Sequence, residues 1–371
     1  MLAFKHSIGE RMRPQFIGRT FIVFLVLCLP SLSWAQKGNV GESASSLIKI
    51  LMTESQAVGI AVSVGVKGQI VWSEGFGYAD VEQRVPVRPA KTRFRVGSIA
   101  KPLTTVAIAQ LYEQGRLDLD APIQRYIPTF PEKRGQITTR LLAGHLAGIR
   151  HYRDDEFLSQ RNYGTVLEGL TIFQQDTLLY SPGMKFSYSS YGWNLISAVV
   201  EGASGQSFLE YMDEHVFKAI SMNHTVADHV DSIRVDRGRY YHVRDGVLLN
   251  APTVDNSYKW AGGGFLSTTE DLVRFGFAHL NKTLLKHETI QLLWTSQKTS
   301  SGKETEYGIG WRIGKDKSGR SWVGHGGGSV GGTTFFRIYP EAQVVLVIIA
   351  NMSSLRYGDI PEKIAELFLT E

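Results

Sequence analysis

"FRVGSIAKPLTTVAIAQLYEQG", residues 94–115, opens with a Gly-Ser turn and runs straight into an apolar pattern of helical period. Ser98 and Lys101 stand three residues apart where that pattern begins. Proline is tolerated only in the first turn of a helix, so Pro102 pins the helix start close to Ser98. Leu103, Val106, Ala107 and Leu111 recur at helical spacing, and Gly115 supplies a C-terminal stop. Residues three apart share a helix face, so the amine of Lys101 can reach the hydroxyl of Ser98. The positive end of the helix dipole and partial burial both favour a neutral lysine. A lysine lowered to roughly 7–8 accepts a serine proton. The same residues also suit a capped helix with a surface lysine, and this stretch alone does not separate the two.

Spacing does not separate them either. Ser-x-x-Lys occurs at Ser46/Lys49, Ser98/Lys101 and Ser300/Lys303. At least two of the three must be noise, so context has to choose. Ser300 lies in SQKTSSGKETEYG, a polar run that reads as a solvated loop. Ser46 opens SLIKILMTE, where a serine before apolar residues reads as a helix cap. Only Ser98 sits between a glycine turn and a proline-marked first turn.

The 371 residues are ample for one large core or two smaller lobes. At the N-terminus Lys5, Arg11, Arg13 and Arg19 precede nine apolar residues, Phe21 to Leu29. Ser33 and Ala35 fit small-residue cleavage before Gln36, so residues 1–35 read as a secretory signal peptide and the protein as periplasmic or secreted. Nine apolar residues are too few to span a bilayer. A mitochondrial presequence is the rival, although such segments are amphipathic rather than continuously apolar. Cys28 is the only cysteine and falls in that segment, which leaves the mature chain without disulfide, thiol nucleophile or cysteine metal site. Residues 1–35 carry four basic and one acidic residue, so the overall charge of +5 falls to +2 without them. That balance gives no reason to invoke nucleic acid. No His-Glu-x-x-His or comparable spacing exists, and neither metal nor cofactor is expected.

VGIAVSVGVKGQIVWSEGFGYAD, residues 58–80, reads as a hairpin turning at Lys67-Gly68. Helical patterns occupy the middle, among them Tyr191–Gly202 and Phe208–Ala219, and Ser267 with Glu270 reads as a capping box. Strand patterns return in SWVGH, TTFFRIY and QVVLVIIAN, the last two joined by PEA, and a helix at Pro361–Leu369 closes the chain. Strands at both ends with helices between imply an α+β (mixed α/β) fold, with one antiparallel sheet built from the N- and C-terminal strands and flanked by helices. The expected lobes are an α/β part over about 40–97 and 255–371 and a helical part over about 98–254, with a cleft between them.

Three separated segments converge on one chemistry. They are SIAK, then FSYSSYGWNLISAVVEGASG with Tyr188 in a turn before a helix, then GHGGGSVGG with His325 at a strand. Serine enzymes of the β-lactamase and penicillin-binding type use Ser-x-x-Lys, a Tyr or Ser motif, and a Lys-Thr-Gly or His-x-Gly strand in that order. WSEGFGYADVEQRVP, LDLDAPIQRYIPTFP, TTRLLAGHLAGIRHY and VDNSYKWAGGGFLST resemble stretches of the serine β-lactamase-like family of animal mitochondria, and the resemblance runs over nearly the whole chain after about residue 50. It implies a class C β-lactamase, transpeptidase-like fold over a single catalytic domain, residues 36–371, and a serine peptidase-like hydrolase. It also implies Ser98 as nucleophile, Lys101 as proton acceptor and Tyr188 as the partner that shuttles the proton to the leaving group. His325 would orient substrate or assist proton transfer in place of the strand lysine. The backbone amides of Ser98 and Gly328 would form the oxyanion site, with Ser190, Gly326 and Gly327 against the substrate.

One departure bears on substrate. The Tyr motif of β-lactamases continues to Asn two residues on, and here that position is Ser190. A hydroxyl lacks an amide's paired donor and acceptor, which weakens recognition of a β-lactam side chain. Three functions compete: a hydrolase forming an acyl-enzyme on a small peptide or ester, a true β-lactamase or D-Ala-D-Ala carboxypeptidase, and a polymerising scaffold. The last follows from filament-forming animal relatives, which also make a homo-oligomer an expected state. His145 and His151 read as structural residues at a helix end.

Overall fold

The computed structural model describes residues 33–369. The expected leader, residues 1–35, therefore lies almost wholly outside the described residues. Helix α1 (Ser33–Ser55) leads into β1 (Gly59–Val66) and β2 (Gln69–Asp80), which turn back on one another at Lys67 and Gly68. Both turn residues have positive φ, 49° and 85°, as a two-residue hairpin of this kind requires. Short strands β3 (Val85–Pro86) and β4 (Phe94–Arg95) precede α2 (Ala100–Glu113). The middle of the chain holds α3 (Thr139–Ala143), α4 (Val166–Leu170), α5 (Ser190–Ser204) and α6 (Phe208–Tyr211). Next come β5 (Val226–Ala227) and a hairpin of β6 (Tyr241–Arg244) and β7 (Val247–Asn250). Helix α7 (Trp260–Gly263), β8 (Phe265–Ser267), α8 (Thr269–Leu280) and α9 (His287–Leu293) follow. Strands β9 (Arg312–Lys315), β10 (Ser321–Ser329), β11 (Gly332–Tyr339) and β12 (Val344–Ala350) lead to α10 (Ile360–Leu369).

Seven strands form one antiparallel sheet in the order β3-β2-β1-β12-β11-β10-β9. The two ends of the chain meet at its centre, where β1 pairs with β12 from Ile60↔Ala350 to Val66↔Val344. The α+β architecture expected from the strand patterns is the one found. Alternation along the central strands decides which layer each side chain joins. Ile60, Val62, Val64, Leu346 and Ile348 pack outward under α1 and α10, which contribute Ala44, Ile48, Leu51, Ile364 and Phe368. Ala61, Val345, Val347, Ile349, Phe336 and Ile338 face inward to α8 and join the helices around α2 and α5 in one continuous core. Each of these larger side chains contributes about 1.5–3 kcal/mol by leaving water.

Three local expectations are corrected. Ser46 does not cap a helix: α1 begins at Ser33, and the exposed Ser46 hydroxyl bonds back to the Glu42 carbonyl at 2.9 Å. Ser267 belongs to β8, and Thr268 caps α8 by accepting from the Asp271 amide, while Glu270 accepts from Ser73 instead. The Phe208–Ala219 pattern is helical throughout, but only Phe208–Tyr211 is α; Met212–Phe217 widens into a π-helix and Lys218–Ile220 tightens into 3₁₀. Apolar spacing is too similar among these helix types to tell them apart.

One asymmetry in the sheet positions the site. Strand β9 pairs with β10 only over Ser321–Gly324, so among the described residues the edge from His325 to Ser329 has no strand neighbour on that side. The turn that precedes α2 is packed over β10 and β11.

Candidate active site

Gly97–Ile99 form a single 3₁₀ turn, and α2 begins at Ala100. Gly97 has φ +52°, and a Cβ there would lie 2.6 Å from the Gly328 carbonyl oxygen and 2.8 Å from the Gly328 nitrogen. Only glycine allows both that backbone and that approach. The contact fixes Ser98 beside the free edge of β10. A Cβ on Gly328 would meet nothing within 4 Å, so this strand position faces open space.

Lys101 is wholly buried. Its Nζ lies 2.9 Å from Ser98 Oγ, 3.2 Å from Ser190 Oγ and 2.7 Å from the Gly262 carbonyl oxygen. Burial, followed by the charges of Lys259 and Arg312, pushes its pKa well below the ordinary lysine value. The contacts fit a free amine. Its two N–H groups satisfy Gly262 and Ser190, and its lone pair accepts the proton of Ser98. Each partner comes from a different element, and the turn at Gly262 belongs to α7.

Tyr188 precedes the N-cap of α5, where Ser189 accepts from the Gly192 amide and donates to the Arg150 carbonyl. Lys101 Nζ lies 5.0 Å from the centre of the Tyr188 ring. Burial raises the Tyr188 hydroxyl to about 12, partly offset by its hydrogen bond with Ser98. At pH 7 the ionised fraction of such a phenol is only about 10⁻⁵, so Tyr188 is a proton donor or relay rather than the base. That comparison makes Lys101 better suited than Tyr188 to accept a proton.

Two histidines hold the Tyr188 segment. His145 Nδ1 accepts from the Ser189 amide, its carbonyl accepts from Ser187, and its ring stacks 4.2 Å from that of Tyr188. His151 Nδ1 accepts from the Ser190 amide. Burial and Lys101 lower His151 to about 4, so it is neutral at physiological pH. Both histidines hold the backbone beside Tyr188, and His151 also lines the cleft.

His325 does not line the cleft. It is buried, its Nδ1 contacts the Gly326 carbonyl at 2.6 Å, and its Nε2 contacts the Tyr307 hydroxyl at 2.8 Å. A carbonyl only accepts, so Nδ1 carries the proton and Tyr307 donates to Nε2. Burial and Lys101 depress His325 to about 3, so it carries no charge at neutral pH. Gly327 does not line the cleft either: a Cβ there would come 2.1 Å from the Val96 carbonyl oxygen. Gly326 is exposed. Ser190 lines the cleft, but its hydroxyl is engaged with Lys101.

The cleft above Ser98 has a volume of about 390 Å³ and is walled by Tyr152, Phe157, Tyr188, Lys259, Gly263 and Gly328 among others. The other two Ser-x-x-Lys pairs are far from this arrangement in kind: Ser46 and Lys49 are exposed on α1, and Ser300 and Lys303 lie exposed in the loop after α9. Sequence patterns did not indicate Lys259, Gly262 or Tyr307, which belong to none of the three motifs. The Beta-lactamase family profile matches residues 44–365. The chain belongs to the Beta-lactamase family of serine hydrolases. Among curated relatives it is 34% identical to the human "Serine beta-lactamase-like protein LACTB, mitochondrial", over 87% of this chain and 79% of that protein. The mouse protein of the same name is 33% identical over the same shares. Among solved structures it matches an octameric penicillin-binding protein homologue from Pyrococcus abyssi, with TM-score 0.78 and 27% identity over 89% of this chain and 77% of that one. No helix among the described residues is long and apolar enough to cross a membrane.

Proposed function

We propose that this family member hydrolyses small peptides or esters through an acyl-enzyme on Ser98, within one catalytic domain spanning residues 36–371. The observation that carries it is the 2.9 Å contact between Ser98 and a wholly buried Lys101, whose pKa burial holds well below the ordinary lysine value, beside an open cleft. Lys101 takes the Ser98 proton as Oγ attacks the carbonyl. The oxyanion forms between the backbone amides of Ser98 and Gly328, donors of a kind typically worth about 3–4 kcal/mol. Tyr188 passes the proton to the leaving group, and water then releases the acyl group by the reverse relay. The unpaired edge from His325 to Ser329 gives an extended substrate a strand to lie against.

Two observations favour this over a true β-lactamase or D-Ala-D-Ala carboxypeptidase. Ser190 is committed to Lys101 rather than to a substrate amide. His325 is neutral and enclosed, so the strand offers no cation to a drug carboxylate. The expected result is ready hydrolysis of p-nitrophenyl esters and slow or absent turnover of a chromogenic cephalosporin at neutral pH. The ratio of the two kcat/KM values tests it, and efficient cephalosporin hydrolysis would promote the lactamase. A scaffold without catalysis is disfavoured by the intact Ser98–Lys101–Tyr188 set, although an assembly that also catalyses is compatible with it. The Pyrococcus homologue described as octameric supports a homo-oligomer.

The mitochondrial names of the animal relatives support the presequence alternative for residues 1–35 over export. Sequencing the N-terminus of the protein recovered from its native host decides between them. Secretory processing is expected to leave Gln36 first, whereas a mitochondrial presequence leaves an end set by a different protease.

A further inference from the structure

Lys259 closes the 3₁₀ turn Ser257–Lys259 before α7, and it lines the cleft while being only 2% exposed. Its Nζ lies 4.4 Å from the centre of the Phe157 ring, 5.1 Å from Tyr258 and 5.8 Å from Tyr152. Among the described residues no hydrogen-bond acceptor or ion-pair partner reaches it. The two carboxylates whose charge it feels are committed elsewhere. Asp228 accepts from Arg95 and Asn256, and Asp255 accepts from Asn162 and the Ser257 amide.

Ring faces return to an ammonium only a part of the hydration it loses on burial. The group is therefore under-compensated where it stands. The aromatic walls are nonetheless fixed in place: Tyr258 donates to the Glu156 carbonyl, Tyr191 donates to the Glu156 carboxylate, and Arg150 holds that carboxylate with two bonds. Among the described residues lining the cleft no other carries a charge; Arg312, whose charge reaches Lys101 and Tyr188, is not one of them. Of the described basic residues lining it, His151 is neutral, and beneath it burial lowers the pKa of Lys101 far from its ordinary value. The strand position that carries lysine in β-lactamases holds the neutral His325.

We propose that Lys259 is the specificity-determining residue of this cleft, anchoring a carboxylate carried on the acyl part of the substrate. This rests on the serine hydrolase reading and narrows its substrates to peptides or esters with an acidic acyl group. Burial and Arg95 lower Lys259 to about 7, opposed by Asp228 and Asp255. The groups around it are Arg95, Lys101, Asp228, Asp255 and the phenols of Tyr152 and Tyr258. Lowered in this way, the ammonium is present below that value and lost above it, so the preference for anionic substrates should decline as pH rises from about 6 to 9.

The experiment compares mono-p-nitrophenyl glutarate with neutral p-nitrophenyl butyrate in wild type, Lys259→Met and Lys259→Arg. The expected result is a glutarate-to-butyrate kcat/KM ratio at least tenfold lower in Lys259→Met and largely kept in Lys259→Arg. Free glutarate binding, followed by calorimetry against glutaramide, tests the anchor without turnover. It should be seen in Ser98→Ala and lost in Ser98→Ala/Lys259→Met. An unchanged ratio, or glutarate binding that survives Lys259→Met, overturns the proposal. Failure of both esters to turn over, with glutarate still bound through Lys259, would instead refute the hydrolase.

Discussion

Ser98→Ala abolishes covalent labelling by a fluorophosphonate and lowers turnover by on the order of 10⁴ or more, as removal of a nucleophile does elsewhere. The effect is this large because no second hydroxyl replaces it. Ser190, the nearest candidate, is itself 3.2 Å from Lys101 and could accept the base's attention. However, it is buried at the first position of α5, while Ser98 is partly exposed and lines the open cleft. Ser46→Ala and Ser300→Ala keep wild-type labelling, because the first hydroxyl bonds its own helix and the second lies in an exposed loop. Quantified labelling of the wild type and of the Ser98→Ala, Ser190→Ala, Ser46→Ala and Ser300→Ala variants is the measurement. Label retained in Ser98→Ala but lost in Ser190→Ala would move the nucleophile to α5.

Residues 94–115 were legible because glycine and proline leave backbone signatures that need no tertiary context. Gly97 takes a positive φ, Pro102 sits in the first turn of α2, and Gly115, with φ +70°, ends it. The central strands were legible for a similar reason, since runs such as Val344–Ala350 are buried on both faces and have no helical alternative of useful length. The charge states were not legible. Whether His325 is a cation depends on Tyr307, 18 residues away, and on burial beneath the cleft. Lys259 belongs to no spacing pattern at all. Its box is assembled from Tyr152, Phe157 and Tyr258, which come from two segments far apart in the chain. The capping error at Ser267 has the same origin: a strand, β8, extends one residue further than local sequence required, and the cap moves to Thr268.

Lys101→Arg removes activity at every accessible pH, which separates a base from a mere positive charge. Guanidinium stays protonated above pH 12 and cannot accept the Ser98 proton. The loss expected is about 10³–10⁴ in kcat/KM, toward the upper end of what a positioned base contributes. In the wild type burial and the charges of Lys259 and Arg312 lower the pKa of the amine, which favours its neutral form. A lowered base is free above its pKa and protonated below it, so kcat/KM for a neutral ester must fall as pH drops through that value. His325 at about 3 and His151 at about 4 titrate too low to produce a limb near neutrality, and Tyr188 at about 12 titrates too high. Lys259 at about 7 is the one neighbour that could imitate it. The Lys259→Met variant resolves this, because its acid limb should persist and shift upward once the repelling charge is gone. Since arginine is bulky for a wholly buried site, Lys101→Met serves as the second variant: it keeps the stem and loses the nitrogen. Melting temperature reports whether each variant is folded. A folded Lys101→Met protein that labels at the wild-type rate would show that the proton goes elsewhere, and the contact at 2.9 Å would then be only structural.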